Sequence, residues 1–195
     1  PGLWEKYVKA LEGRYGVTLT DVRFRSKDRS WRRYDFVVRG GDREFATPHQ
    51  KDPYMLLFLQ DMTLRPSCYE CRFRKGGSGS DLTLADLWNV AEAAPELDDD
   101  KGVSLVMANT VKGASAVRST GLELREVDPA VAVRRNGGFA ESLAMPQMRS
   151  EFFKGYHSAK DLIGYMDQFV IRENLLKRML GKVRSMLSKI RRIAR

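Results

Sequence analysis

Cysteine is scarce in this chain: two thiols among 195 residues. A disulfide-stapled secreted scaffold needs cysteines spread along the sequence, so that class is excluded and the usage points to a reducing compartment. Histidine is equally sparse. His49 and His157 lie far apart, no serine or cysteine sits in a nucleophile motif, and no hydrolase triad is legible. Each histidine reads as a surface or capping residue. No apolar run reaches the ~18 residues of a membrane-spanning helix, and the start does not resemble a secretory signal. The chain begins at Pro1 without an initiator methionine, which makes a piece of a longer protein at least as good an expectation as a complete one.

Acidic residues run short of basic ones, and the net charge is +9. The excess is local: residues 172–195 hold nine Lys or Arg against Glu173, so they carry +8 and leave +1 for residues 1–171. A nucleic-acid-binding face spread over the fold is therefore not expected, and no nucleic acid is predicted as a partner. In the same segment Ile171, Leu175, Met179, Val183, Met186, Ile190 and Ile193 recur at three- and four-residue spacing. The pattern predicts a basic amphipathic helix. Such a helix packs on its own domain, docks on a partner subunit or lies on an anionic membrane surface.

At 43% hydrophobic the chain has enough apolar material for one large or two small domains. Leu3, Tyr7, Val8 and Leu11 form the apolar face of a helix ending near Gly13 and Gly16. Alternation over Val17–Arg25 predicts a strand, and Tyr34–Arg39, Gly40-Gly41 and Arg43–Thr47 predict a hairpin. A basic loop, Arg25–Arg33, separates the first two strands. Asp52-Pro53 opens a helix with Asp52 as N-cap. Lys75–Ser80 reads as a flexible glycine-serine connector.

Further on, Asp81–Leu84 predicts a short strand, Ser104–Ala108 a buried strand, Val111–Thr120 a helix and Leu122–Val127 another strand. Strand, helix and strand at this spacing predict a βαβ-like unit. The acidic run Asp98-Asp99-Asp100 lacks the alternation of a calcium loop and reads as a solvated helix end before Gly102. The fold class expected is α/β, a mixed α+β arrangement with a central mixed sheet flanked by helices and a helical C-terminal tail. Residues 1–155 are expected to form the domain and 156–195 the helical, basic amphipathic tail.

Both cysteines fall in Arg65-Pro66-Ser67-Cys68-Tyr69-Glu70-Cys71-Arg72-Phe73. Two thiols at this spacing are half of a metal site, and the neighbouring Arg65, Arg72 and Arg74 favour the thiolate that a soft metal binds. Structural zinc and iron–sulfur clusters each take four ligands. Two ligands must come from elsewhere.

Several strings carry a resemblance: Arg65–Cys71, then Ser80–Trp88, then Asp99–Val106, then Asn109-Thr110 with Lys112-Gly113. Together with Pro1–Tyr7 and Asp52-Pro53-Tyr54, they resemble the C-terminal domain of the coenzyme F420 hydrogenase/dehydrogenase beta-subunit family over roughly residues 1 to 155. The likeness is greatest to a bacterial branch often found with polysaccharide-synthesis proteins, in which a ferredoxin-like segment precedes this domain. The resemblance implies a cytoplasmic oxidoreductase that passes electrons between a 4Fe-4S cluster and a flavin, FAD, with F420 as a substrate in archaeal members.

Carried over by position, Cys68 and Cys71 become cluster ligands. Arg65 and Ser67, the segment holding Asp81, Thr83, Asp86 and Trp88, and Lys101, Gly102 and Ser104 border the flavin or its substrate. No catalytic residue is named. Lys101 and the backbone near Gly102 offer donors to an anionic cofactor, and Trp88 offers cover for a flat ring. The implied partner is the ferredoxin-like segment or a redox subunit, and the basic tail adds a peripheral site at the inner face of the membrane. The competing class is a non-enzymatic interaction module whose paired cysteines hold zinc or nothing.

Overall fold

The computed structural model describes residues 2–172. In chain order the elements are α1 (Gly2–Tyr15), β1 (Asp21–Ser26), β2 (Asp35–Gly40), β3 (Arg43–Pro48), α2 (Pro53–Leu59), β4 (Leu82–Asp86), α3 (Val90–Ala93), β5 (Ser104–Ala108), α4 (Val111–Arg118), α5 (Pro129–Ala132), α6 (Gly137–Ala140), α7 (Arg149–Gly155) and α8 (Leu162–Phe169). The class is mixed α/β, as expected. The sheet is not one central mixed sheet. Among the described residues it is two small antiparallel ones, β1-β2-β3 and β4-β5.

The first body forms around α1, whose Leu3, Tyr7 and Leu11 recur every four residues and are buried along one face. Gly16, at φ +65°, ends the helix in the left-handed conformation that glycine adopts without strain. β2 and β3 form the expected hairpin, with Gly40 paired to Arg43 across a two-residue turn. Phe36, Val37 and Val38 of β2 are all buried, so the middle strand reads as a continuous apolar run rather than an alternating one. Phe36 and Val38 join Leu3, Tyr7, Leu11, Leu57, Phe152, Ile163 and Met166 in one core. The C-terminal helices α7 and α8 thus pack on the N-terminal helix and sheet, and Phe152 and Met166 are wholly buried.

Asp52 begins α2 as expected. Its Oδ1 accepts from the Met55 backbone N–H at 2.9 Å, and its Oδ2 accepts from the buried Tyr7 hydroxyl at 2.5 Å. One carboxylate therefore caps α2 and ties it to α1. Burial raises the Asp52 pKa from the ordinary carboxylate value, against the lowering effect of these hydrogen bonds. Burial, and then the nearby Asp52 charge, pushes the Tyr7 hydroxyl well above the ordinary tyrosine value.

The second body is β4 paired antiparallel with β5, covered by short helices. Its core is Leu87, Val90, Leu105 and Ala132. Two expectations are corrected here. Residues 122–127 form no strand: Leu122 and Leu124 are exposed, at 68% and 48%, and their apolar alternation has no sheet to pack against. The βαβ-like unit expected over residues 104–127 fails with it, since α4 leads into no second strand, and among the described residues β5 pairs instead with β4, antiparallel. α4 is seated instead against the entry to β4. A Cβ at Gly113 would stand 2.1 Å from the Asp81 carbonyl oxygen, so only glycine permits that approach.

No described helix is long and apolar enough to cross a membrane. The amphipathic helix expected over 172–195 lies outside the described residues except for Arg172, which pairs with Asp167.

Candidate functional site

Pro66 starts a single 3-10 turn, Pro66–Cys68, in which the Cys68 N–H returns to the Arg65 carbonyl at 2.9 Å. The turn is anchored to the first body by Tyr69 rather than by its thiols. The Tyr69 hydroxyl donates to the Asp61 carbonyl and accepts from Arg149 Nε of α7 at 3.0 Å. Arg149 Nη2 also donates to the Leu64 carbonyl at 2.7 Å, and its guanidinium lies 4.4 Å from the Phe153 ring. Cys68 and Cys71 are free and half-buried.

Beyond Cys71 the chain runs beside the loop that carries α6. The Cys71 N–H donates to Ser142 Oγ at 2.9 Å. Arg74 Nη1 donates to the Cys71 carbonyl at 3.0 Å and to Ser142 Oγ at 2.8 Å. The Lys75 N–H donates to the Phe139 carbonyl at 2.8 Å. The cysteine segment and residues 139–142 therefore form one wall.

That wall borders an open cleft of about 410 Å³. Its floor is Thr83 and Ala85, which project from the same face of β4, with Met107 opposite Thr83 on β5. Ala85 is small, so the floor is flat there. Phe73, Phe139 and Trp88 supply aromatic walls, and Arg135 stands at the polar side. A cleft of this size and lining suits one flat ring system.

Trp88 is itself held from behind. Its ring lies 4.9 Å from Trp31, and the Arg25 guanidinium lies 4.8 to 5.5 Å from the rings of Tyr34, Trp88 and Trp31. Arg25 Nη1 donates to Asp86 at 3.0 Å. Its buried Nε and Nη2 have no hydrogen-bond partner among the described residues, and the surrounding π faces meet their positive charge. The basic loop continues into the acidic run. The Trp31 N–H donates to the Asp100 carbonyl at 3.0 Å, the Arg32 N–H to Asp100 Oδ1 at 3.2 Å, and the Arg32 side chain to Asp98 at 2.5 Å. Gly102, at φ +88°, presses on Trp31, where a Cβ would stand 2.3 Å from Nε1. Two charge runs that look separate in sequence are one interface, and it fixes Trp88.

The residues singled out from the sequence fall into three groups. Thr83 and Trp88 line the cleft, with Asp86 and Gly102 behind Trp88. Cys68, Cys71, Arg65 and Ser67 make up the turn, where Arg65 and Ser67 are exposed. Asp81, Lys101 and Ser104 do not line the cleft. Asp81 accepts from Thr110 Oγ1 at 2.6 Å and pairs with Lys112 at 3.0 Å. The Thr110 hydrogen bond, and then Lys112, hold its carboxyl below the usual range. Lys101 pairs with Asp99 at 3.2 Å and points outward, and Ser104 is exposed opposite Asp86 on β5.

Sequence reasoning missed Arg25, Trp31, Phe73, Arg135 and Phe139. Their available signal was an aromatic beside an arginine in a loop: Trp31 next to Arg32, Phe73 between Arg72 and Arg74, and Phe139 soon after Arg135. No group of three or more His, Cys, Asp or Glu gathers among the described residues. The chain matches no protein-family model, no curated protein and no solved structure.

Proposed function

We propose that this chain is a redox domain of an iron–sulfur flavoprotein, with the aromatic cleft holding the flavin ring and Cys68 and Cys71 supplying two of four ligands to a 4Fe-4S cluster. The observation that carries the reading is adjacency. Cys71 and the cleft residue Phe139 lie on two strands of chain joined by the Lys75–Phe139 and Cys71–Ser142 hydrogen bonds. When bound, the two groups supply one-electron chemistry on the thiolate side and one- or two-electron chemistry on the ring side, toward F420 or another acceptor.

The chain's own residues do the positioning. Tyr69 and Arg149 hold the cysteine turn, and Trp31 and Arg25 hold Trp88 upright as a wall. Ala85 and Met107 offer apolar surface beneath a bound ring, beside the Thr83 hydroxyl. A ferredoxin-like segment or partner subunit completes the thiolate set. Unpaired thiols fit the reducing cytoplasm, and the basic segment from Arg172 fits an anionic surface at the inner face of the membrane.

Titration with FMN followed by flavin fluorescence tests the ring site. Trp88→Ala is expected to weaken binding by about 1.5–2 kcal/mol, roughly ten- to thirtyfold, because it removes a stacking wall. Trp88→Phe keeps an aromatic face and most of the affinity. Lys101→Ala is expected to leave affinity within about twofold, since an exposed ion pair is worth little. Equal affinity in the wild type and the Trp88→Ala variant would remove the cleft from the proposal.

A further inference from the structure

We propose that β5 is a docking edge for a second copy of this chain. The two β5 strands pair antiparallel about a two-fold axis at Val106 and join the two β4-β5 sheets into one sheet of four strands. The inference is independent of what the cleft binds.

The register of the sheet decides which backbone groups face outward. The Asn109 N–H donates to the Asp81 carbonyl and the Leu87 N–H to the Val103 carbonyl, each at 2.9 Å. Between these two bonded pairs an antiparallel ladder alternates, so Thr83 bonds with Met107 and Ala85 with Leu105, while Leu84 and Val106 face each other without bonding. The N–H and C=O groups of Ser104, Val106 and Ala108 therefore point away from β4, and none has a partner among the described residues. The outer edge of β4 is less open, since Asn136 Nδ2 donates to the Asp86 carbonyl at 3.4 Å. A strand edge is ordinarily guarded by a charge, a proline or a bulge. Ser104-Leu105-Val106-Met107-Ala108 has none of them.

The side chains beside this edge are apolar and uncovered: Leu84 is 71% exposed and Val106, directly across from it, 36%. The strand is also its own complement. Set two-fold against itself, it places Val106 opposite the second copy's Val106 and the small Ser104 opposite the second copy's Ala108, with no like charges facing. The outward N–H and C=O groups then pair, and Leu84, Val106 and their counterparts form one apolar row across four strands. Thr83, Ala85 and Met107 alternate with these residues, so both clefts open on the opposite face of the shared sheet. An isologous contact of this kind closes at two copies. One five-residue strand makes it small, so the association is weak.

Sedimentation equilibrium of the full-length protein tests the pairing. The wild type is expected to show a monomer–dimer equilibrium with a Kd of about 10–100 µM, as a small interface gives. Val106→Lys and Val106→Glu each set like charges opposite one another on the axis, and each is expected to weaken the dimer at least about tenfold. Mixing the two variants sets Lys opposite Glu and is expected to restore association to within about threefold of the wild type. Amide exchange supplies a reading that needs no substitution: in the wild type, the N–H groups of Ser104, Val106 and Ala108 are expected to exchange more slowly as protein concentration rises through the Kd. A wild type that stays monomeric throughout overturns the proposal and leaves the edge to another strand of this chain or of another protein. A dimer that withstands both charged variants, or one that forms without slowing exchange at these three amides, overturns β5 as its seam.

Discussion

Cys68→Ser and Cys71→Ser are each expected to abolish bound iron and acid-labile sulfide in the full-length protein purified without oxygen. Each thiol is one of only two in the chain, and the described residues gather no substitute ligand. A serine hydroxyl does not replace a thiolate on a soft metal at neutral pH. The loss is specific because the turn's position does not depend on sulfur. Tyr69, Asp61, Leu64 and Arg149 hold it through oxygen and nitrogen. Both variants should therefore keep the wild-type melting temperature in the metal-free state. Unchanged iron and sulfide in both would show that the pair binds no cluster.

The largest effect on stability is expected at Asp52. Asp52→Ala removes the α2 cap, about 1 kcal/mol, and leaves the buried Tyr7 hydroxyl without an acceptor, about 1–3 kcal/mol. Together the loss is about 2–4 kcal/mol, read as a fall in the denaturant midpoint. Asp52→Asn keeps an acceptor and costs less, but it removes a titration. Because burial raises the Asp52 pKa, the folded protein holds that proton more tightly than the unfolded chain does. This contribution to stability is fully present below the ordinary carboxylate value of ~4 and is lost as pH rises through the raised value. Tyr7 works in the same sense at the alkaline end, where stability falls as pH rises past ~10. The Asn variant should lose the acidic slope and keep the alkaline one. An identical acidic slope in wild type and Asp52→Asn would mean that another group titrates there.

Local chemistry was legible in the sequence where one residue type decides the outcome. The four-residue spacing of Leu3, Tyr7 and Leu11 gave α1, Asp52-Pro53 gave the start of α2, and Gly40-Gly41 placed the hairpin turn. Long-range pairing was not legible. Leu122 and Leu124 have the alternation of a strand but no partner, and the direction of β5 depends on how the intervening stretch folds back, which periodicity does not encode. The site was half visible for the same reason. The cysteine pair, Thr83 and Trp88 stand out in one dimension. Arg25, Trp31 and Arg135 acquire meaning only when the loop 25–33 meets Asp98–Asp100 and when residues 71–75 meet residues 139–142. Lys101 illustrates the converse, since its place beside three aspartates marks an ion pair with Asp99 and not a wall of the cleft.

The central claim is that this chain works with a flavin and an iron–sulfur cluster together. The most direct measurement is the visible absorption spectrum of the full-length protein purified without oxygen, with iron, sulfide and flavin assayed on the same sample. The account predicts a yellow-brown protein with flavin bands over a broad cluster shoulder, both bleached by a chemical reductant, and iron and sulfide in equal amounts. A colourless protein, with zinc or no metal at Cys68 and Cys71, would contradict it and leave an interaction module.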